Sequence, residues 1–168
     1  MPGTRPPEDD GRQPALDAQA RALDLAYRYL GRRDRTVAEM RRYLEGKRVD
    51  LAAIAVAIAQ LRDQGYLDDA RYAQRFAQDR RELDGWGSER IERRLLTAGV
   101  DPDLVESALA QRTSGDELAA AVALLRRRFP TPPSDDRERT RALGVLLRKG
   151  YEGELAHEAI RAFERERG

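Results

Sequence analysis

Leu23, Ala26, Tyr27 and Leu30 fall at i, i+3, i+4 and i+7, the spacing of a helix with one apolar stripe, and Gly31 supplies a stop. Thr36-Val-Ala-Glu39 has the form of a capping box, in which the Thr36 hydroxyl accepts from the Glu39 amide and the Glu39 carboxylate reaches back. A second helix therefore starts there. Asp50 caps a third, carrying Leu51, Ile54, Ile58 and Leu61. The run Ile54-Ala-Val-Ala-Ile58 also alternates like a strand, but its alanines favour helix and are depleted in sheets. Gly65-Tyr66-Leu67-Asp68 then gives a stop and a fresh cap, followed by an apolar stripe of Tyr72, Phe76 and Leu83 that ends at Gly85-Trp86-Gly87.

The second half repeats this logic. Ser88 caps a helix bearing Ile91 and Leu95, and Gly99 stops it. Asp101-Pro102 opens another with Leu104, Val105, Ala108 and Leu109 inward. Ser114-Gly-Asp-Glu117 reads as a second capping box, before Leu118, Val122, Leu125 and Phe129. After the break at Pro130-Thr-Pro-Pro-Ser134, two further helices are expected near 135–149 and 152–166. Nine helices and no strand emerge.

Met40, Leu44, Ile54, Ala57 and Ile58 map onto Ile91, Leu95, Val105, Ala108 and Leu109 by a constant offset of 51 (91 − 40), and these onto Ala142, Leu146, Ala156, Ala159 and Ile160 by the same offset (142 − 91). Gly99-Val100 matches Gly150-Tyr151. The expected fold is all-α: three tandem three-helix repeats, 16–66, 67–113 and 114–168, stacked into an elongated, curved body because so short a unit buries little core alone. Residues 1–15, rich in proline and mixed charge without periodicity, are expected to be a disordered tail. They hold no apolar stretch of the secretory kind, and the longest apolar run, Leu51 to Ala59, is far short of the ~20 residues that span a bilayer. A cytoplasmic protein with no membrane contact is expected.

Composition narrows the chemistry. The 168 residues contain no cysteine and one histidine, His157, which excludes disulfides, thiolate metal centres and multi-histidine sites. No phosphate-cradling glycine loop precedes either lysine, and no nucleophile motif is present, so no catalytic residue, cofactor or metal is expected. Asp68-Asp69 reads as a cap and a first-turn acid rather than a catalytic pair. Trp86, the one tryptophan, is equally consistent with an exposed anchor for a partner and with a pin holding a helix junction to the core.

Charge is more informative. It makes up 36% of the chain yet balances, 31 basic against 30 acidic. Nearly all the cations are arginine, which a GC-rich genome accounts for, although forked guanidiniums suit phosphate and carboxylate whatever selected them. Two segments are locally basic. Residues 28–48 hold Arg28, Arg32, Arg33, Arg35, Arg41, Arg42, Lys47 and Arg48 against Asp34, Glu39 and Glu45, a balance of 8 − 3 = +5. Residues 126–149 hold Arg126, Arg127, Arg128, Arg137, Arg139, Arg141, Arg148 and Lys149 against Asp135, Asp136 and Glu138, again 8 − 3 = +5. Apart from Arg28, these cations are the candidate contacts to DNA phosphate or to an acidic groove on a protein, set against the plainer reading of a solvated helix face.

The run Gly65-Tyr-Leu-Asp-Asp-Ala-Arg-Tyr-Ala-Gln-Arg-Phe-Ala-Gln-Asp-Arg80, with Arg35-Thr-Val-Ala-Glu-Met40 and Gly87-Ser-Glu-Arg-Ile-Glu-Arg-Arg-Leu-Leu-Thr-Ala-Gly-Val100, resembles the RecX family of bacterial regulators of RecA recombinase. The likeness extends over about residues 16–168; Glu45-Gly46-Lys47 departs from the usual Lys-Gly order, and the proline-rich start lies outside it. It implies a monomeric, non-enzymatic protein of three three-helix repeats. Such a protein would bind the RecA–DNA filament groove and suppress RecA ATP hydrolysis and strand exchange, and with them recombination, DNA repair and the SOS response. A helical module acting directly on single- or double-stranded DNA is the alternative. The near-neutral net charge favours the first, since living on DNA leaves a stronger basic signature.

Overall fold

The structure is a computed structural model that describes residues 11–166. Among the described residues there are nine helices and no strand. They divide into two compact units, Met1–Asp69 and Ala70–Gly168.

In the first unit, α1 (Arg12–Leu30), α2 (Val37–Gly46) and α3 (Leu51–Asp63) close around Ala22, Ala26, Met40, Leu44, Ile54, Ala57, Ile58 and Leu61. Each fully buried leucine or isoleucine there contributes roughly 1.5–3 kcal/mol. The alternating run is helical because Ile54 and Ile58 are buried whereas Val56 is 42% exposed, and a strand would put all three on one face. Asp50 accepts from the Ala52 and Ala53 amides, and the Thr36–Glu39 box forms in both directions. The first helix begins at Arg12, inside the stretch expected to be tail; Pro14 sits in its first turn, where a missing N–H leaves no bond unmade. Residues 1–10 of that stretch lie outside the described residues.

The second unit carries α4 (Asp69–Asp84), whose first residue still belongs to the first unit, with α5 (Ser88–Thr97), α6 (Pro102–Leu109), α7 (Ser114–Arg128), α8 (Asp136–Lys149) and α9 (Gly153–Arg165). One apolar cluster joins Ala73, Ala77, Ile91, Leu95, Val105 and Ala108 across α4–α6. Another joins Leu125, Leu146, Tyr151, Ile160 and Phe163 across α7–α9. Two local readings are corrected here. The capping box of α7 is Thr113 with Asp116, one residue earlier than Ser114 with Glu117, and α5 starts with Ser88 already inside the helix behind Gly87. Both shifts have one cause: Glu117 is drawn away to accept from the Ser88 amide at 2.7 Å and the Ser88 hydroxyl at 2.6 Å. An acid on α7 thus caps α5, the role the sequence offers to Ser88 itself.

The same closing turn follows α2, α5 and α8. Val49 N–H donates to Leu44 O, Val100 N–H to Leu95 O and Tyr151 N–H to Leu146 O, the six-to-one bond of a Schellman motif. The residue before each buried anchor is left-handed: Gly99 (φ 81°) and Gly150 (φ 86°), but Arg48 (φ 57°) in the first.

Candidate partner-binding surface

In the first unit the basic segment runs from the end of α1 through α2. Three of its candidates are committed to the fold. Arg33 donates to both carboxylate oxygens of Glu39, at 2.7 and 3.2 Å. Burial pushes the Glu39 carboxyl up, but the hydrogen bonds from Arg33 and the Thr36 amide, with the Arg33 and Arg35 charges, outweigh it and hold it below its ordinary range. Arg35 lies 3.8 Å above the Tyr29 ring, which stacks on Tyr43 at 4.0 Å, and Lys47 stands 5.6 Å over Tyr43. That column of cation, two rings and cation orders the α1–α2 connection. Arg32, Arg41, Arg42 and Arg48 are exposed, and their side chains make no ion pair among the described residues. They form the outward-facing part of this segment.

The basic segment of the second unit, from the end of α7 through α8, is more heavily occupied. Arg126 pairs with Glu166 through Nε (2.9 Å) and Nη2. Arg139 donates to Glu164 at 2.6 Å and Asp136 at 2.9 Å. These hydrogen bonds raise both guanidinium pKa values and hold Glu166 down. Lys149 donates 2.7 Å to the Asp84 carbonyl, and the Arg148 carbonyl accepts from Arg90 at 2.9 Å. The side chain of Arg148 folds back over Gly144, and Arg127 approaches Gly85. Arg128, Arg137 and Arg141 remain exposed without an ion pair among the described residues.

Around this segment the backbones of α5 and α8 meet. Gly87 N–H donates to Lys149 O at 2.9 Å and Glu89 N–H to Gly150 O at 3.1 Å, so carbonyls at the end of α8 satisfy amides at the start of α5. The approach requires two glycines: a Cβ on Gly87 would sit 2.3 Å from Gly150 O, and one on Gly150 would sit 2.2 Å from Arg90 Cβ. Trp86 resolves as the pin rather than the anchor. It is half-buried, edge-on to Phe76 at 6.2 Å, with the Arg90 guanidinium 4.0 Å from its ring centre.

Asp69 accepts from the Val37 amide at 2.9 Å, so it caps α2 from a distance as Glu117 caps α5. Burial raises its pKa against the pull of that amide and of Arg62. His157 is exposed on α9, and among the described residues no group of His, Asp and Glu has the arrangement of a metal site. No described helix is long and apolar enough to cross a membrane. Two cations that the sequence reading left out, Arg81 and Arg112, line a cleft between α4, α6 and α7. They lie in residues 51–113, where nine basic residues stand against eleven acidic, and only folding brings them together.

Models of three RecX domains match in order along the chain: the first three-helix domain over residues 22–61, the second over 68–109 and the third over 115–160. The chain is 34% identical over 155 residues to the regulatory protein RecX of Leptothrix cholodnii, covering 92% of this chain and 94% of that one. It is 35% identical over 167 residues to the regulatory protein RecX of Mycobacterium avium, covering 96% and 95%. The crystal structure of RecX from Lactobacillus salivarius shares the fold with a TM-score of 0.79 at 22% identity, over 89% of this chain and 99% of that one. Domain matches in series and full-length relatives agree with the three closing turns, and the chain belongs to the RecX family of regulatory proteins.

Proposed function

We propose that this protein binds the RecA–DNA filament in its groove and inhibits RecA ATP hydrolysis and strand exchange, restraining recombination and the SOS response from the cytoplasm. The observation that carries the reading is the match of all three RecX domains in their order along one chain. The boundaries 16–66, 67–113 and 114–168 are the proposed repeats, each supplying a separate contact to a polymer of identical subunits. The protein acts as a monomer and without chemistry of its own: it holds neighbouring subunits in fixed relation and so opposes the motions of ATP turnover.

The exposed, uncommitted arginines are the proposed contacts: Arg32, Arg41, Arg42 and Arg48 in the first unit, Arg128, Arg137 and Arg141 in the second. Cations already paired contribute less, because a partner must first displace Glu39, Glu164 or Glu166. The test is RecA ATPase on single-stranded DNA with and without the protein, beside a single-strand binder of matched DNA affinity that lacks RecA contact. Stronger suppression by this protein supports the filament reading. Equal suppression by the two overturns it and favours direct action on DNA. The double variant Arg41→Glu, Arg42→Glu should weaken suppression while leaving stability within about 0.5 kcal/mol, as exposed substitutions do.

A further inference from the structure

The cleft between α4, α6 and α7 has a volume of about 670 Å³ and is lined by Arg81 and Arg112 with Gln74, Gln78 and Gln111. Glu82 and Asp116 also line it, but neither guanidinium is in an ion pair among the described residues. Arg81 is half-buried and donates through Nη2 to the neutral Leu109 carbonyl at 3.0 Å, while its buried Nε has no acceptor. Burial, and then the charge of Arg112, lower the Arg81 pKa against the opposing pull of Glu117. Arg112 has no ion pair among the described residues. The acids nearby are already engaged. Both oxygens of Glu117 hold Ser88, Asp116 holds Thr113, and Glu82 accepts from Gln78.

We infer that this cleft is a docking site for an acidic side chain on a partner's peptide segment, received between Arg81 and Arg112. Two guanidiniums that repel across a partly dry wall are relieved by one carboxylate, to which both can donate. The glutamines add neutral donors and acceptors for the flanking backbone. A nucleic-acid strand fits less well. Glu82 and Asp116 stand on the same wall, and a continuous line of phosphates would meet both, whereas a peptide can set a neutral or basic residue beside its acid. This inference goes beyond filament binding and holds whichever protein bears the acidic segment.

The test titrates the full-length protein against a rhodamine-labelled Gly-Ser-Glu-Glu-Ser-Gly peptide, its Gln-for-Glu counterpart, and single-stranded oligo-dT. The Glu peptide should bind about ten-fold more tightly than the Gln peptide, the scale of one or two charge-assisted bonds. Arg112→Gln should erase that difference. Ala119→Glu, which places a carboxylate on the cleft wall, should erase it too and decides the matter if Arg112→Gln fails to fold. Equal binding of the two peptides by the wild type, or an undiminished preference in Ala119→Glu, overturns the inference. So does loss of oligo-dT affinity in Arg112→Gln, because the cleft would then be reading phosphate.

Discussion

The two basic segments carry the same formal charge and end in the same left-handed turn, yet folding treats them differently. In the first unit the acids available are local: Glu39 takes Arg33, two rings take Arg35 and Lys47, and four arginines are left facing outward. In the second, Glu164 of α9 and Glu166 at its C-cap pair with Arg139 and Arg126, while Lys149 is tied to the Asp84 carbonyl. The closing turns diverge in parallel. Gly150 is buried against α5, where any side chain would strike Arg90, whereas Arg48 is exposed. Where the turn is packed, sterics dictate glycine; where it is open, an arginine occupies a conformation that costs non-glycine residues of order 1–3 kcal/mol. A charge count along the chain measures neither effect.

The sharpest way to break the contrast is at the packed turn. Gly150→Ala adds a methyl group to a 2.2 Å approach and forces alanine to φ 86°, so the second unit should lose about 3 kcal/mol or more, summing overpacking and backbone strain. Urea denaturation followed by circular dichroism measures it; a loss under about 1 kcal/mol would mean the joint slides apart freely. Next comes Glu117→Ala, which strips the cap from α5 and should cost about 1–2 kcal/mol, while Ser114→Ala should change little because that hydroxyl is not the cap.

Arg48→Gly runs the other way. It relieves the left-handed arginine and should stabilise the first unit by about 1 kcal/mol while weakening suppression of RecA, a pairing that a purely structural Arg48 would not produce. The smallest effect concerns acid. Because the folded protein holds Glu39 below its ordinary 4.5, the stability it confers is present above that value and is lost as pH falls through the lowered one. Asp69, held above its ordinary 3.8, works oppositely: its contribution is present below that value and lost as pH rises through the raised one. Glu39→Gln should therefore flatten the decline of the urea midpoint below about pH 4.5, and Asp69→Asn should steepen it.

Helices and most of their caps were legible in the chain because their causes are local. Thr36 and Glu39 are three residues apart, and the turns after α2, α5 and α8 repeat at a constant offset. Local rules failed where a distant group competed. The α7 box moved to Thr113 because Glu117 reaches a helix start 29 positions back, and Arg126 was spent on an acid 40 positions on. Trp86 stayed undecided until Phe76 and Arg90 were placed around it. The Arg81–Arg112 cleft gave no sequence signal at all, since one arginine comes from α4 and the other from the α6–α7 connection, within residues 51–113, where nine basic residues stand against eleven acidic.

The joint between α5 and α8 is built from main-chain amides and carbonyls, braced by the Arg90 and Lys149 side chains on carbonyls, and requires that side chains be absent at Gly87 and Gly150. Such a connector constrains only a few positions. The flanking helices can exchange most surface residues, and alter what they recognise, while the mating parts stay the same.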